Sequence, residues 1–185
     1  MITNYREVPF ESPRFVTPKK VAYTQNGVEK EWELVEVHDS VAILLVDREK
    51  EAFVVVKQFR PPVYLKANGG FTYELCAGIL DKGKTPEETA LEEVDEECGY
   101  QVGPEALERI TAFYTAVGFG GSEQILFMAY VDEAHRIHGG GGVDIEEIEV
   151  VHIPFAEANA FMMDESKPKT PGLLFAFQWY LSTHI

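Results

Sequence analysis

Between Thr85 and Gly99 the chain carries a fully punctuated helix and a charge problem. Thr85 is a good N-cap, Pro86 suits the first helical position, and Glu88 completes a capping box with Thr85. Gly99 is a good stop, because left-handed backbone costs glycine little. Leu91, Val94 and Cys98 recur at helical spacing and are expected to form the buried face. Glu93, Glu96 and Glu97 stand at i, i+3 and i+4, so they share a face, with Glu92 and Asp95 crowding the same stretch. Like charges at i,i+4 cost about 0.2–0.5 kcal/mol per pair, and several of them near a helix C-terminus also oppose the macrodipole. A divalent cation would offset that repulsion. Carboxylate oxygens suit Mg²⁺, which commonly bridges protein carboxylate to phosphate. A solvated acidic face is the alternative.

The rest of the chain reads as strands before this helix and a mixture after it. Residues 14–23 and 30–37 flank Asn26-Gly27, a strong two-residue hairpin signal. Residues 41–46 and 52–59 are apolar, β-branched runs that predict a second, buried hairpin ended by Pro61-Pro62. Residues 72–75 predict a short strand leading into Ala77-Gly78. Further strands are expected at 108–114, 124–131 and 147–153, and helices at 156–163 and 172–181, where the aromatic run Phe175 to Tyr180 suits core packing. Strands and helices do not alternate regularly. The pattern predicts an α/β (α+β) domain, residues 39–185, with a mixed sheet between helices, preceded by a β extension over residues 1–38. Gly139 to Gly142 predict a mobile loop whose acidic end holds Asp144, Glu146 and Glu147.

Composition narrows the partners. The chain has 185 residues, enough for one domain with a core, and a formal net charge of −15. That field repels nucleic-acid backbones and anionic lipid, so neither nucleic acid nor membrane is expected as a partner. The two cysteines, Cys76 and Cys98, form no C-x-x-C pair and are expected to be reduced and buried. No apolar run approaches the roughly 20 residues needed to span a bilayer, and the start has no apolar signal core, so a cytoplasmic location is expected. The five histidines are scattered and predict no catalytic or ligand role.

Gly78 to Lys84, followed after seven residues by Glu92-Glu93-Val94-Asp95-Glu96-Glu97-Cys98-Gly99-Tyr100, resembles the Nudix box, and its spacing is matched throughout. The resemblance implies a mixed sheet between helices, a divalent metal (Mg²⁺, with Mn²⁺ as a substitute) and hydrolysis of a nucleoside diphosphate linked to another group. Glu93, Glu96 and Glu97 fall on the family's metal-binding glutamates, and Ala77 falls where a backbone carbonyl joins the metal shell. Two positions depart: Lys84 stands where the family has glutamate and Glu92 where it has arginine. The signs are exchanged, but two turns of helix separate the pair, so they are expected to be independent surface charges.

The likeness extends beyond the box. Residues 53–60 (with Lys57-Gln58-Phe59-Arg60), 73–78 (with Glu74-Leu75-Cys76-Ala77-Gly78), 117–123 and 148–151 resemble the ADP-ribose and nucleotide-sugar branch, and most nearly its UDP-sugar diphosphatase type. By that resemblance Arg60 holds diphosphate, Glu74 lies at the site edge, and Gly118 belongs to the substrate-binding set. The loop after Gly142 would act as a lid and supply the catalytic base, with Asp144 first and Glu146 second, acting beside Glu96 and Glu97 at the metal. The implied reaction is attack of water on one phosphorus of a UDP-glucose-like substrate, giving a nucleoside monophosphate and a sugar 1-phosphate. The similar enzymes also imply a homodimer built through the N-terminal hairpin. An ADP-ribose diphosphatase is the alternative, disfavoured because Thr115 stands near a position where such enzymes carry proline. A non-catalytic nucleotide-sugar sensor is a second alternative.

Overall fold

A computed structural model describes residues 2–11, 15–66, 69–80, 83–143 and 145–184. The strands are β1 (Thr17–Gln25), β2 (Val28–Glu36), β3 (Ser40–Asp47), β4 (Ala52–Phe59), β5 (Phe71–Glu74), β6 (Cys76–Ile79), β7 (Glu108–Tyr114), β8 (Glu123–Val131) and β9 (Ile148–Pro154). The helices are α1 (Pro61–Tyr64), α2 (Pro86–Cys98), α3 (Phe155–Met163) and α4 (Pro171–His184).

β3 is the strand on which the others assemble. It runs parallel to β8 from Ser40↔Gln124 to Asp47↔Val131. Its other edge is shared, the first half pairing antiparallel with β6 and the last residues with β4. β4 in turn carries β5 and β9, and β7 closes the far edge on β8, giving a seven-stranded mixed sheet. β3 is apolar on both faces because both are covered. Val41, Ile43 and Leu45 pack with Val94 and Cys98 of α2, whereas Ala42, Leu44 and Val46 pack with Leu173 and Phe177 of α4. Alternate residues of one strand thus enter two cores. On the α4 side, Phe53 stacks on Phe177 with ring centroids 4.0 Å apart. The mixed sheet between helices is the architecture expected from the sequence.

α2 forms where its punctuation places it. Thr85 accepts from the Glu88 N–H at 3.2 Å, and Glu88 accepts from the Thr85 N–H at 2.8 Å. Gly99, at φ 74°, ends the helix and donates to the Asp95 carbonyl. The buried stripe differs from the expected one. Ala90, Val94, Glu97 and Cys98 are buried, while Leu91 lies at the flank and is only half-buried. The buried face is therefore rotated from the expected one, and it takes in the Glu97 carboxylate. β6 went unread because four residues containing a glycine carry little strand signal. Pro61-Pro62 ends β4 as expected and also opens the short α1, where proline costs no helical hydrogen bond.

The N-terminal hairpin stands apart as its own two-stranded sheet. Asn26 (φ 53°) and Gly27 (φ 78°) make the turn, both left-handed as a type I′ turn requires. Arg14, the expected start of its first strand, lies outside the described residues. The hairpin is exposed almost throughout, including Val21, Tyr23, Val28 and Trp32. It joins the body where Trp32 Nε1 donates to the Gly118 carbonyl and Val35 N to the Phe119 carbonyl, both at 2.8 Å.

A Cβ at Gly99 would meet the His138 carbonyl oxygen at 2.3 Å and the Gly140 nitrogen at 2.6 Å. Gly99→Ala is expected to destabilise the protein by about 1–3 kcal/mol, combining left-handed strain with backbone displacement. A denaturant midpoint equal to that of the parent would contradict this packing.

Candidate active site

The site is organised where α2 crosses β6. Glu97 is only 5% exposed, and its Oε2 accepts from the Ala77 N–H at 3.0 Å. One turn earlier, Glu93 lies directly against Gly78: a Cβ there would come within 2.2 Å of Glu93 Oε1. The glycine that opens the box thus makes room for a carboxylate. Burial pushes the pKa of Glu97 up to about 8, and the charges of Glu93 and Glu146 add to the rise. The structure therefore brings Glu93, Glu97 and Ala77 together. Glu96 is half-buried on the same helix, and its charge acts on Lys84.

Arg60 follows the end of β4, and Glu74 ends the antiparallel β5 opposite Val56, so the long Arg60 side chain spans several positions of the ladder to reach the carboxylate. Arg60 Nε donates to Glu74 Oε1 at 2.8 Å and Nη2 to Oε2 at 2.7 Å. Glu74 Oε1 also accepts from the Thr72 hydroxyl. This bidentate bond holds Arg60 charged, and the charges of Glu97 and Glu146 act on it as well. A guanidinium has five N–H donors, so the fork that Glu74 uses leaves others for an anion.

The glycine run is a docked element rather than the mobile loop expected from its composition. Gly141 and Gly142 donate to the carbonyls of Glu97 and Glu96, each at 3.0 Å, and so satisfy orphan groups at the C-terminus of α2. Gly140, Gly141 and Gly142 have φ of 69°, 118° and 83°, and a Cβ at Gly140 would meet the Glu97 carbonyl oxygen at 2.3 Å. His138 pins the approach. Its Nδ1 accepts from the Gly140 N–H at 3.0 Å, which leaves the proton of a neutral ring on Nε2, 2.8 Å from Asp95 Oδ1. This histidine was not expected to matter, because nothing in its spacing links it to Asp95. Beyond the glycines, Glu146 accepts from the Val143 N–H at 3.1 Å. Asp144 lies outside the described residues, as do Asp81 and Lys82 of the box loop.

Two further placements differ from expectation. Lys84 and Glu92 are not independent surface charges: Lys84 Nζ lies 2.5 Å from both carboxylate oxygens. Glu92 leans toward the helix N-terminus, as helical side chains do, and the long lysine reaches from before the N-cap to meet it. Gly118 is brought to the hairpin, where its carbonyl holds Trp32.

The donor set fits a divalent cation. Glu93 and Glu97 bring carboxylate oxygens to Gly78 and Ala77, adjacent residues of β6, and oxygen donors suit a hard divalent cation. Among the described residues, no three His, Cys, Asp or Glu side chains form a ready-made cage. Mg²⁺ commonly takes one or two protein carboxylates and completes its shell with waters and substrate oxygens.

With this geometry in place, the chain matches the NUDIX domain over residues 36–171. It belongs to the NUDIX family. It is 39% identical to a uridine diphosphate glucose pyrophosphatase of Bos taurus, over 91% of this chain and 89% of the relative, and 36% identical over the same shares to that of Mus musculus. It is 44% identical to a GDP-mannose pyrophosphatase of Cronobacter sakazakii, over 66% of this chain and 65% of that protein. Both cysteines are free and buried, and among the described residues no helix is long and apolar enough to cross a membrane.

The raised pKa of Glu97 has a measurable consequence. A carboxylate whose folded pKa exceeds its unfolded value of 4.5 contributes stability that is fully present below pH 4.5 and is lost as pH rises to about 8. In chelator, the parent's Tm should fall across that window relative to Glu97→Gln, by the equivalent of a few kcal/mol. Parallel Tm profiles for the two proteins would contradict the assignment.

Proposed function

We propose that the protein hydrolyses the diphosphate of a UDP-glucose-like nucleoside diphosphate sugar, in the cytoplasm and with Mg²⁺, releasing a nucleoside monophosphate and a sugar 1-phosphate. The observation that carries this reading is the buried Glu97 of α2, seated on the Ala77 amide of β6, with its charge acting on Arg60 of the Arg60–Glu74 fork. The relatives' activities on UDP-glucose and GDP-mannose support the substrate class.

Arg60, steadied by Glu74, binds a non-bridging phosphate oxygen and orients the diphosphate for in-line attack. Glu93, Glu96 and Glu97, with the Ala77 carbonyl, would hold Mg²⁺, which when bound neutralises phosphate charge and acidifies water; Mn²⁺ would serve in its place. The loop after Gly142 supplies the base that takes the water's proton. Glu146 is favoured within the described residues because its charge already acts on both Glu97 and Arg60. Asp144 is the other candidate. Because the glycines are bonded to the end of α2, the base and the metal carboxylates belong to one assembly.

Residues 1–38 form an extension to the catalytic domain at residues 39–185, and its exposed hairpin packs on a second copy of the chain. An isolated two-stranded hairpin is at best marginally stable in water, and this one exposes Trp32 and Tyr23.

With UDP-glucose and Mg²⁺ the protein should release UMP and glucose 1-phosphate, and chelator should stop the reaction. Glu97→Gln should lose at least ~100-fold in rate, as for removal of a strong transition-state contact. Parent-like turnover in Glu97→Gln would sink the metal assignment. Light scattering at micromolar concentration should give the mass of two chains, and a mass of one would refute the dimer.

A further inference from the structure

A cavity of about 320 Å³ opens beside the catalytic residues on the α4 side of the sheet. Glu74 and Ala77 form part of its wall. Those are the residues that hold Arg60 and Glu97, so a diphosphate bound there directs one of its two substituents into the cavity. The remaining wall includes Leu75, Phe113, Gln124 and Gly172. We propose that this cavity is the nucleobase subsite and that Gln124 reads the edge of the base, a reading that rests on the nucleotide-sugar hydrolase assignment above.

The choice between base and sugar follows from the polar groups on the wall. Glu74 is already bonded to Arg60 and Thr72. The Thr115 hydroxyl is paired with Ser122 at 2.7 Å. The Thr170 hydroxyl accepts from the Leu173 N–H. A hexose carries hydroxyls around its whole rim, and in such a wall several would lose water without gaining a partner. A nucleobase has apolar faces and keeps its polar atoms on its edge, which suits an aromatic and aliphatic slot with one amide.

Gln124 is placed to meet that edge. Its Nε2 donates to Ser40 Oγ at 3.1 Å, which fixes the amide and turns Oε1 toward Gly172. A Cβ at Gly172 would lie 3.2 Å from Gln124 Oε1 and 3.2 Å from Phe113 Cζ. The missing side chain therefore keeps open the gap between the ring and the amide. With one N–H given to Ser40, the amide keeps its second N–H beside Oε1, a donor and an acceptor that match the N–H and C=O of uracil's imide. A carboxylate offers acceptors only. It would repel uracil's carbonyls but accept from the two adjacent N–H groups on guanine's pairing edge.

Gln124→Glu therefore makes the test. The kcat/KM values of parent and variant are compared on UDP-glucose, GDP-glucose, UDP-galactose and GDP-mannose, and UMP and GMP are titrated calorimetrically without turnover. The expected result is a shift of at least ~10-fold in the GDP-glucose to UDP-glucose ratio toward guanine, the same reversal in UMP and GMP binding, and an unchanged UDP-glucose to UDP-galactose ratio. A changed sugar ratio with a constant base ratio, or no change in either, overturns the proposal. If neither protein turns over any substrate but the UMP and GMP affinities reverse, the subsite stands and the hydrolase reading falls. Should Gln124→Glu fail to fold, Gly172→Val fills the same gap. It should weaken UMP binding at least ~10-fold and leave glucose 1-phosphate binding unchanged, and unaltered UMP binding would overturn the proposal.

Discussion

The seating of the Glu97 carboxylate on the Ala77 amide is the contact from which the rest of the site takes its position. α2 could meet the sheet with leucine at that point and gain apolar burial. It instead buries an acid that is costly to keep ionised, and secures it with one backbone N–H. That arrangement fixes the rotation of the helix about its axis. Glu93 then falls on Gly78, the C-terminal carbonyls of α2 point at Gly141 and Gly142, and Asp95 faces His138. Once Glu97 is placed, Gly78, Gly99, Gly140 and Gly142 follow as steric requirements: each sits where another residue's atoms leave no room for a Cβ.

The same logic separates what the sequence made legible from what it concealed. The α2 boundaries were readable because Thr85, Pro86, Glu88 and Gly99 act locally, within one turn of the helix end. β3 and β4 were readable because burial on both faces leaves an uninterrupted apolar run. The concealed features all depend on distant residues. Glycine composition predicts freedom, and only the contact with α2 turns Gly140 to Gly142 into a fixed element. Lys84 and Glu92 looked too far apart along the helix axis, because axial spacing ignores the backward lean of helical side chains. The Gln124 amide carried no motif, since its meaning depends on Ser40, eighty-four positions earlier, and on an absent side chain at Gly172.

The Arg60–Glu74 fork shows how strand pairing does chemical work. Val56↔Glu74 and Phe59↔Phe71 set the register of β4 and β5, and across that register the long Arg60 side chain reaches the Glu74 carboxylate in a two-point bond. A pair joined at two points has one orientation, so the unused donors of Arg60 are aimed before any anion arrives. A lysine at this position would keep the charge and lose the aim.

β3 also governs how the molecule comes into being. Its parallel partner begins at Gln124, opposite Ser40, so the middle of the sheet joins segments 84 residues apart in the chain. At a synthesis rate of 5–20 residues per second, β3 waits roughly 4–17 s on the ribosome before β8 exists. During that interval only β4 and β6 can cover its other edge, and a strand apolar from Val41 to Val46 shows an open row of amides and carbonyls to its surroundings. A chain interrupted before Val131 is therefore a sticky fragment rather than a smaller protein. For this topology, the order of synthesis is itself a hazard that the finished fold does not reveal.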